Sequence, residues 1–287
     1  MNSILPPSTI GLIGNGPFVR SSATAAKALG FTVVTFGPQP TNVADSHITA
    51  SYDDISALAR LADQSDVVAY ELENADPAIV QQWEKLVPVF PSSRILRLTQ
   101  HRIEEKEFIQ SIGLPTAAFE PVNRKTGIIA AQQRIGYPAI IKRCRLAPEQ
   151  KDQRRVETAT QAQMAIGDLG GEDLIWEQLI DVERELSIVG ARGSDGSIVI
   201  WPIALPAAFQ ERALEIFRSI VTQLDVIGIF SVELFFLADG QLMVNKLIPG
   251  IRIAGSQAVH NNTPSPFGNH IRAICGLPFE PTTSYQD

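Results

Sequence analysis

Short apolar segments alternate with helical segments in the first part of this chain, and this alternation restricts its fold more than any other feature. Residues 10–13, 31–36 and 67–70 are apolar runs that predict strands, and residues 22–29 and 54–62 predict helices between them. Strands that alternate with helices form a parallel sheet whose faces the helices cover. The sequence therefore predicts an α/β fold that begins with a Rossmann-like parallel-sheet domain.

The rest of the chain predicts a smaller α/β unit and then hairpins and helices. The predicted helices cover residues 93–112, 208–224 and 266–274. The predicted strands cover residues 139–142, 174–177, 185–189, 197–201, 229–237 and 241–245. A tight turn at residues 238–240 joins the last two strands, and residues 248–266 are predicted to be a loop.

Composition bounds the class of protein. The 287 residues are enough for two or three small domains, and 45% hydrophobic residues supply their cores. The formal net charge of −7 argues against nonspecific nucleic-acid binding, which needs clustered positive charge. The chain shows no signal-peptide pattern and no apolar window long enough to span a bilayer. We therefore expect a cytoplasmic protein with small-molecule or protein partners and with no nucleic-acid or membrane partner.

Cysteine and histidine are not spaced as they are in zinc sites. The two cysteines, Cys144 and Cys275, cannot build a disulfide framework or a zinc cluster by themselves. No histidine has metal-ligand spacing to a cysteine or to another histidine. The histidines are His47, His101, His260 and His270. We expect reduced thiols and histidines that are structural or lie at the surface.

A glycine turn follows the first predicted strand. Gly14 and Gly16 flank Asn15, and such a turn can bring backbone N–H groups to an anion at a helix N-terminus. The dinucleotide fingerprint needs a third glycine where Val19 stands, so we exclude a nicotinamide or flavin site. A tight βα turn without a ligand explains the two glycines equally well.

An acidic segment follows the strand at residues 67–70. The segment Tyr70-Glu71-Leu72-Glu73-Asn74 lies where the carboxyl ends of parallel strands bind ligands in open α/β sheets. Side chains at i and i+2 of a strand point to the same face, so the carboxylates of Glu71 and Glu73 suit hydroxyl groups or an amine. The alternative is an acidic loop in solvent.

Lys142 ends an apolar strand and suits a phosphate group as a point charge. Residues 143–152 follow it without a glycine, although a loop that covers phosphates needs glycines for close backbone approach. Glu177, Glu183 and Glu185 flank a turn and either hold ribose hydroxyls or lie at the surface.

Glu233 lies inside a very apolar strand and needs a partner for its charge. Asn245 and Lys246 lie across the predicted hairpin. Magnesium prefers two or more oxygen ligands, whereas Lys246 offers a positive charge. The simplest prediction is an ion pair between Glu233 and Lys246.

Taken together, these segments resemble the 5-(carboxyamino)imidazole ribonucleotide synthetases of purine biosynthesis, which are ATP-grasp enzymes. The resemblance covers nearly the whole chain. Besides the glycine turn and Tyr70 to Asn74, the matching segments are Phe90-Pro91-Ser92, Ile112-Gly113-Leu114-Pro115, residues 136–142, residues 183–187, Val232-Glu233, Val244-Asn245, residues 270–274 and Gly276-Leu277-Pro278. The resemblance implies an ATP-grasp domain after a pre-ATP-grasp domain.

The resemblance also implies roles for individual residues, with ATP or ADP as cofactor. Lys106 and Lys142 would contact phosphates, Glu177 would border the adenine, and Glu185 would hold the ribose. Glu233 would be a metal ligand. The remnant of the substrate cleft would consist of Gly14, Gly16, Arg20, Tyr70, Glu71, Glu73 and Asn74.

Several motifs depart from the family pattern. The mobile loop of the family resembles R-G-G-Y-D-G-K-G-Q, whereas residues 145–153 keep Lys151 and Gln153 and replace every glycine. Lys246 stands in place of the second magnesium glutamate, so we expect metal binding to be lost. Residues 250–256 keep only the glycine of a run that binds substrate and phosphates. The family also continues into a small C-terminal domain, which this chain is expected to lack because it stops at Asp287.

These departures predict a member of the family that has lost synthetase activity and has no catalytic residue, with a regulatory, ligand-sensing or scaffolding role. The alternative is an active ATP-dependent carboxylate–amine ligase with the same or an altered substrate. We expect an N-terminal domain over residues 1–92 and an ATP-grasp domain over 93–287, with lobes near 116–190 and 191–287. An adenine nucleotide is the expected ligand, and a homodimer or another protein the expected partner.

Overall fold

A computed structural model describes residues 3–70, 75–124, 126–145, 152–170, 172–203, 205–251 and 265–282. The chain divides into two compact units. Unit 1 consists of residues 1–97, 186–232 and 247–287, and unit 2 consists of residues 98–185 and 233–246. The predicted division at residue 92 stays a prediction.

The described elements alternate between strand and helix over most of the chain. The strands are β1 Thr9–Ile13, β2 Thr32–Gly37, β3 Ser46–Thr49, β4 Val67–Tyr70, β5 Val89–Phe90, β6 Phe119–Val122, β7 Ala139–Arg143, β8 Gln153–Val156, β9 Leu174–Gln178, β10 Arg184–Arg192, β11 Ile198–Ile200, β12 Gly228–Phe236 and β13 Leu242–Pro249. The helices are α1 Pro17–Ala28, α2 Ile55–Asp63, α3 Pro77–Trp83, α4 Ser93–Thr99, α5 Arg102–Ser111, α6 Ile128–Arg134, α7 Ala159–Asp168, α8 Ala207–Gln223 and α9 Pro266–Ile274.

Unit 1 contains the predicted parallel sheet, with strand order β3-β2-β1-β4-β5. Its strands are parallel and in register, so that Ile13 at the end of β1 lies beside Phe36 of β2 and Tyr70 of β4. Ile10 and Leu12 of β1 are at most 1% exposed and belong to a core that α1 and α9 help to close. The predicted α/β class with a parallel N-terminal sheet is therefore confirmed.

Two predicted helices have different bounds in the structure. Helix α1 begins at Pro17 rather than at residue 22, because proline fits the first turn of a helix, where its missing N–H is not needed. The single helix predicted over 93–112 is two helices, α4 and α5. They separate at His101, which pairs with Arg145 in an isolated bridge and caps α5 by accepting from Glu104 N. Strand β13 also extends to Pro249, into the predicted loop.

A second sheet has the order β11-β10-β12-β13. Strands β10 and β11 form the predicted antiparallel hairpin, in which Gly190 lies opposite Ile200. Helix α8 packs on it through Phe217, which is fully buried. Gly190 is needed there because a Cβ atom on it would lie 2.4 Å from the Phe217 ring.

Unit 2 contains an antiparallel sheet of order β6-β9-β7-β8. Helices α6 and α7 cover one side of it, and their apolar residues close a core around Ile141 and Trp176, both fully buried. Strand β7 pairs with β8 and with β9, so it lies inside the sheet. The end of β7, which carries Lys142, therefore has a fixed position.

None of the helices in the described part of the chain combines the length and the apolar character needed to cross a lipid bilayer.

Candidate functional site

Three charged side chains meet in unit 2, and we call them the lysine–glutamate cluster: Lys106, Lys142 and Glu177. Lys142 Nζ donates to Glu177 Oε2 at 2.6 Å, and Lys106 Nζ lies 3.7 Å from Glu177 Oε1. The side chains are 4%, 13% and 6% exposed, respectively. One carboxylate therefore holds two ammonium groups in a largely dry environment.

The register of the sheet explains why Lys142 and Glu177 meet. Strands β7 and β9 are antiparallel, and Glu177 lies directly opposite Ile140. Lys142 is two residues further along β7, so it points to the same face as Ile140 and is a diagonal neighbour of Glu177. A long lysine side chain spans this diagonal, and the ion pair follows from two strand positions.

Lys106 reaches the cluster from α5, and Thr116 fixes its position. Lys106 Nζ donates to Thr116 Oγ1 at 3.0 Å, and Thr116 Oγ1 donates to the backbone oxygen of Val244 on β13 at 2.8 Å. The N–H of Val244 in turn donates to Pro115 O at 2.8 Å. This chain of hydrogen bonds joins α5, the segment before β6 and β13 within unit 2.

Burial and charge act against each other in this cluster. Burial lowers the pKa of Lys106, and the nearby Glu177 carboxylate opposes that effect. Burial alone would raise the pKa of Glu177, but Lys106 and Lys142 outweigh it and the net pKa is lowered. Glu177 is therefore an anion at neutral pH, and its charge depends on both lysines.

The two lysines differ in what they can reach. Lys106 is 4% exposed and is hydrogen-bonded to Thr116, so its ammonium group is buried and already has a partner inside the protein. Lys142 lies at the end of β7, and its side chain is three times as exposed. A phosphate group can therefore approach Lys142 more readily than Lys106. Sequence reasoning missed Thr116, for which no local pattern gives a signal.

Glu233 and Lys246 lie on β12 and β13, the strands of one hairpin in unit 2. Both residues are half-buried, and both take part in interactions. Lys246 follows Val244 by two positions and so shares its face of β13. The predicted ion pair between Glu233 and Lys246 stays a prediction.

Glu185 lies near the start of β10 and is exposed. The neighbouring N–H of Glu183 donates to Phe236 O at the end of β12, at 3.1 Å. Glu185 is therefore available to solvent, as a residue that binds ribose hydroxyls would have to be.

Gly14 and Gly16 follow β1 and Tyr70 ends β4, so these predicted cleft residues lie at one edge of the parallel sheet of unit 1. Gly14 has φ of +119°, which a non-glycine residue adopts only with strain, and Gly16 is the N-cap of α1. Arg20 Nη1 donates to Asn15 O at 2.5 Å and so ties the turn to the first turns of α1. Glu71, Glu73 and Asn74 lie outside the described residues.

Tyr70 belongs to the core of unit 1. It is 4% exposed and packs edge-to-face on Trp83, with 5.9 Å between the ring centroids. Burial, with a smaller effect of Glu84, raises the pKa of its hydroxyl. Its hydroxyl oxygen has no hydrogen-bond partner among the residues that the structure describes. Tyr70 therefore contributes to the packing beneath this edge of the sheet, with only 4% of its surface exposed.

Comparison with known protein families gives two matches along the chain. Residues 8–100 match the ribonucleotide synthetase preATP-grasp domain. Residues 107–207 and 197–267 match the ATP-grasp domain. The lysine–glutamate cluster lies in the ATP-grasp match, apart from Lys106, which immediately precedes it.

Individual relatives carry the name N5-carboxyaminoimidazole ribonucleotide synthase. The protein of that name from Brucella melitensis is 33% identical over 99% of this chain and 85% of its own length. The one from Bacillus subtilis is also 33% identical, over 97% of this chain and 79% of its own length.

Solved structures give the same result. The ADP complex of purK, an N5-carboxyaminoimidazole ribonucleotide synthetase, superimposes with a TM-score of 0.91 at 30% identity, over 98% of this chain and 80% of that one. The Staphylococcus aureus synthetase with ADP gives 0.89 at 26% identity, over 98% and 80%.

Proposed function

The chain belongs to the N5-carboxyaminoimidazole ribonucleotide synthase family of ATP-grasp proteins, and we propose that it binds an adenine nucleotide but has lost the synthetase activity. The observation that carries the proposal is the contrast within unit 2 between an intact lysine–glutamate cluster and a hairpin that offers Lys246 where the family resemblance implies a second carboxylate.

The charge of the cluster suits a phosphate group. Two ammonium groups and one carboxylate leave one excess positive charge, in surroundings where screening by water is weak. Lys142 is the group that contacts phosphate, because it can turn from Glu177 to the ligand while Lys106 continues to hold Glu177. Two similar solved structures are complexes with ADP, which supports an adenine nucleotide as the ligand.

The donor set of the hairpin does not fit magnesium. Mg²⁺ is held by oxygen ligands, usually one or two carboxylates together with substrate phosphates and water. Glu233 supplies one carboxylate, while the ammonium group of Lys246 adds a positive charge to the same hairpin. The hairpin therefore supports no metal-dependent step in this chain.

Loss of these groups is costly for catalysis. Phosphoryl transfer depends on positioning and on cations that spread the developing charge, and each lost stabilising contact removes roughly 3 kcal/mol from the transition state. The sequence departs from the family pattern at three places: the hairpin, the phosphate loop (residues 145–153) and the substrate run (residues 250–256). Three such losses amount to roughly 9 kcal/mol, or more than a millionfold in rate. We accordingly propose a regulatory, ligand-sensing or scaffolding role for the nucleotide-bound protein, alone or as a homodimer.

An active ATP-dependent carboxylate–amine ligase, with the same or an altered substrate, is the competing function. The intact sheets and the retained Lys142–Glu177 pair are compatible with it. The two functions differ in what magnesium does, because an active ligase needs the metal for turnover, whereas the proposed binder does not need it for affinity.

The experiment is a pair of measurements on the purified chain. Calorimetry with ADP and ATP, each with and without Mg²⁺, is expected to show binding whose affinity does not depend on the metal. A phosphate-release assay with ATP, bicarbonate and aminoimidazole ribonucleotide is expected to show no turnover. The variant Lys142→Ala is expected to bind nucleotide about 10- to 150-fold more weakly, since a hydrogen bond to a charged group contributes about 1.5–3 kcal/mol.

The matched control is Lys27→Ala, which removes one exposed lysine of unit 1 that pairs with Asp45 at 2.7 Å. It is expected to bind nucleotide as the unmodified chain does. Turnover of the unmodified chain near the usual range of about 1–1,000 per second would refute the lost activity. Equal affinity of the Lys142→Ala variant and the unmodified chain would instead refute the nucleotide site.

A further inference from the structure

Unit 2 also brings together three side chains that are far apart in the sequence, and we call them the His–Cys–Asp cluster: His101, Cys144 and Asp173. One ligand atom from each lies within 4.8 Å of the other two. His101 precedes α5, Cys144 follows β7, and Asp173 precedes β9. The cluster lies outside the lysine–glutamate cluster, and the proposed function does not use it.

The separations suit a tetrahedral metal ion. Zinc binds histidine nitrogen and carboxylate oxygen at about 2.0–2.2 Å and thiolate sulfur at about 2.3 Å, so tetrahedral angles put nitrogen and oxygen about 3.3 Å apart and sulfur about 3.6 Å from each. His101 Nε2 and Asp173 Oδ1 are 3.3 Å apart. Cys144 Sγ lies no more than 4.8 Å from a ligand atom of each of the other two residues, so ligation requires the sulfur to approach them by up to about 1.2 Å.

The backbone holds these side chains in place. Arg102 N donates to Cys144 O, and Cys144 N donates to Asp173 O, both at 2.9 Å, so consecutive backbone bonds join the three segments. Asp173 has φ of +53°, in the left-handed region that aspartate and asparagine tolerate better than most residues. The cluster is therefore fixed by main-chain pairing and does not depend on flexible loops.

Charge and exposure also fit a divalent cation. A thiolate and a carboxylate balance two positive charges. Glu104 Oε1 lies 4.0 Å from His101 Nδ1, which is too far for a hydrogen bond but places a further negative charge beside the imidazole. Cys144 is fully buried, while the Asp173 side chain is 54% exposed, which leaves an open side for water as the fourth ligand. The nearby Arg102 is already paired with Asp152 at 2.5 Å and with Arg143 O at 3.0 Å.

We propose that His101, Cys144 and Asp173 bind a thiophilic divalent cation of the Zn²⁺ class, with His101 Nε2, Cys144 Sγ and an Asp173 carboxylate oxygen as ligands. Binding displaces the thiol proton and places the imidazole proton on Nδ1, towards Glu104. It also replaces the 3.4 Å contact in which His101 Nδ1 accepts from Glu104 N. The cation ties the start of α5 to the sheet beside the end of β7.

The test uses Co²⁺ as a spectroscopic probe on the full chain, after chelation and reduction. One equivalent of Co²⁺ is expected to produce a sulfur-to-cobalt charge-transfer band and tetrahedral visible bands, and Zn²⁺ is expected to displace it because it binds more tightly. The variant Cys144→Ser is expected to lose the charge-transfer band. The matched control is Cys275→Ser, at the other buried cysteine, which is expected to keep it.

Two further variants separate metal ligation from folding. His101→Asn keeps a side chain that can cap α5, and Asp173→Asn keeps a residue that tolerates positive φ. Each is expected to fold as judged by circular dichroism and to bind Co²⁺ at least about tenfold more weakly. No thiolate band in the unmodified chain would overturn the proposal. A band that survives Cys144→Ser, or unchanged affinity in either asparagine variant, would overturn it as well.

Discussion

Replacing Glu177 with glutamine tests how the lysine–glutamate cluster is held together. The substitution keeps the shape of the side chain and removes the only carboxylate within ion-pair distance of Lys106 and Lys142 in the described structure. Lys106 is 4% exposed, so its charge would remain buried with Thr116 as an uncharged partner. Breaking a buried pair in this way costs about 3–5 kcal/mol.

A second substitution separates this effect from simple loss of packing. In the double variant Glu177→Gln with Lys106→Met, the buried ammonium that lacks a counter-charge is gone, and the more exposed Lys142 can be hydrated. We therefore expect the double variant to be more stable than Glu177→Gln alone by about 1–3 kcal/mol. If the costs of the two substitutions simply add, the cluster is not coupled and the reasoning is refuted.

The assay has to report on unit 2 alone, because two compact units need not unfold together. Hydrogen–deuterium exchange of peptides from β7 and β9, followed across a urea series, gives the free energy of unfolding of this sheet. The control Glu157→Gln removes an exposed carboxylate that lies 3.1 Å from the exposed Arg155, and it should change stability by less than about 0.5 kcal/mol.

The pH dependence has a definite sign. The pKa of Glu177 is lower in the folded chain than in the unfolded chain, because the two lysines outweigh the effect of burial. Its stabilising contribution is therefore present above the unfolded pKa and is lost as pH falls through the folded pKa. The difference in stability between the unmodified chain and Glu177→Gln should accordingly shrink in acid, and a constant difference would contradict the assignment.

Three further predictions concern other positions. Gly190→Ala should destabilise unit 1 by about 1–3 kcal/mol in urea unfolding, because the added Cβ would lie 2.4 Å from Phe217. The control Gly167→Ala, in α7, places its Cβ in open space and should be neutral or stabilising by up to about 1 kcal/mol. Burial lowers the pKa of His270 to about 4. As pH falls from 6.5 to 4, the unfolded chain takes up a proton on this histidine and the folded chain does not, so the folded chain should lose about 3 kcal/mol of stability. The His270→Leu variant should not show this loss. Lys246→Glu alone should release no phosphate, because the phosphate loop and the substrate run also depart from the family pattern, and measurable turnover of that variant would contradict this.

Sequence patterns predicted the sheet of unit 1 well because its signals are local. Apolar runs bounded by glycine, such as the one before Gly14, identify buried parallel strands without knowledge of their partners. Local sequence motifs likewise supported the family resemblance and the ATP-grasp class, which the comparisons confirm. The position of Lys142 near the end of an apolar strand is also confirmed, whereas its phosphate-binding role stays a prediction. The roles predicted for Glu185, Glu233 and the cleft residues stay predictions.

Features that depend on distant pairing were beyond sequence reasoning. The break between α4 and α5 occurs where His101 pairs with Arg145, a contact that no helical period indicates. The burial of Lys106 depends on Thr116 and on a carbonyl of β13, which are separated from it by 10 and 138 residues in the sequence numbering. The meeting of Cys144 and Asp173 likewise requires the β7–β9 register.

The anchor of Lys106 ends on a main-chain oxygen, since Thr116 donates to the carbonyl of Val244. A carbonyl is present whatever side chain a residue carries. Substitutions along β13 that preserve the strand, including a change of sign at position 246, therefore leave this attachment as it was. The charge at position 246 can thus change sign while the neighbouring ammonium group of Lys106 keeps its hydrogen-bonded position.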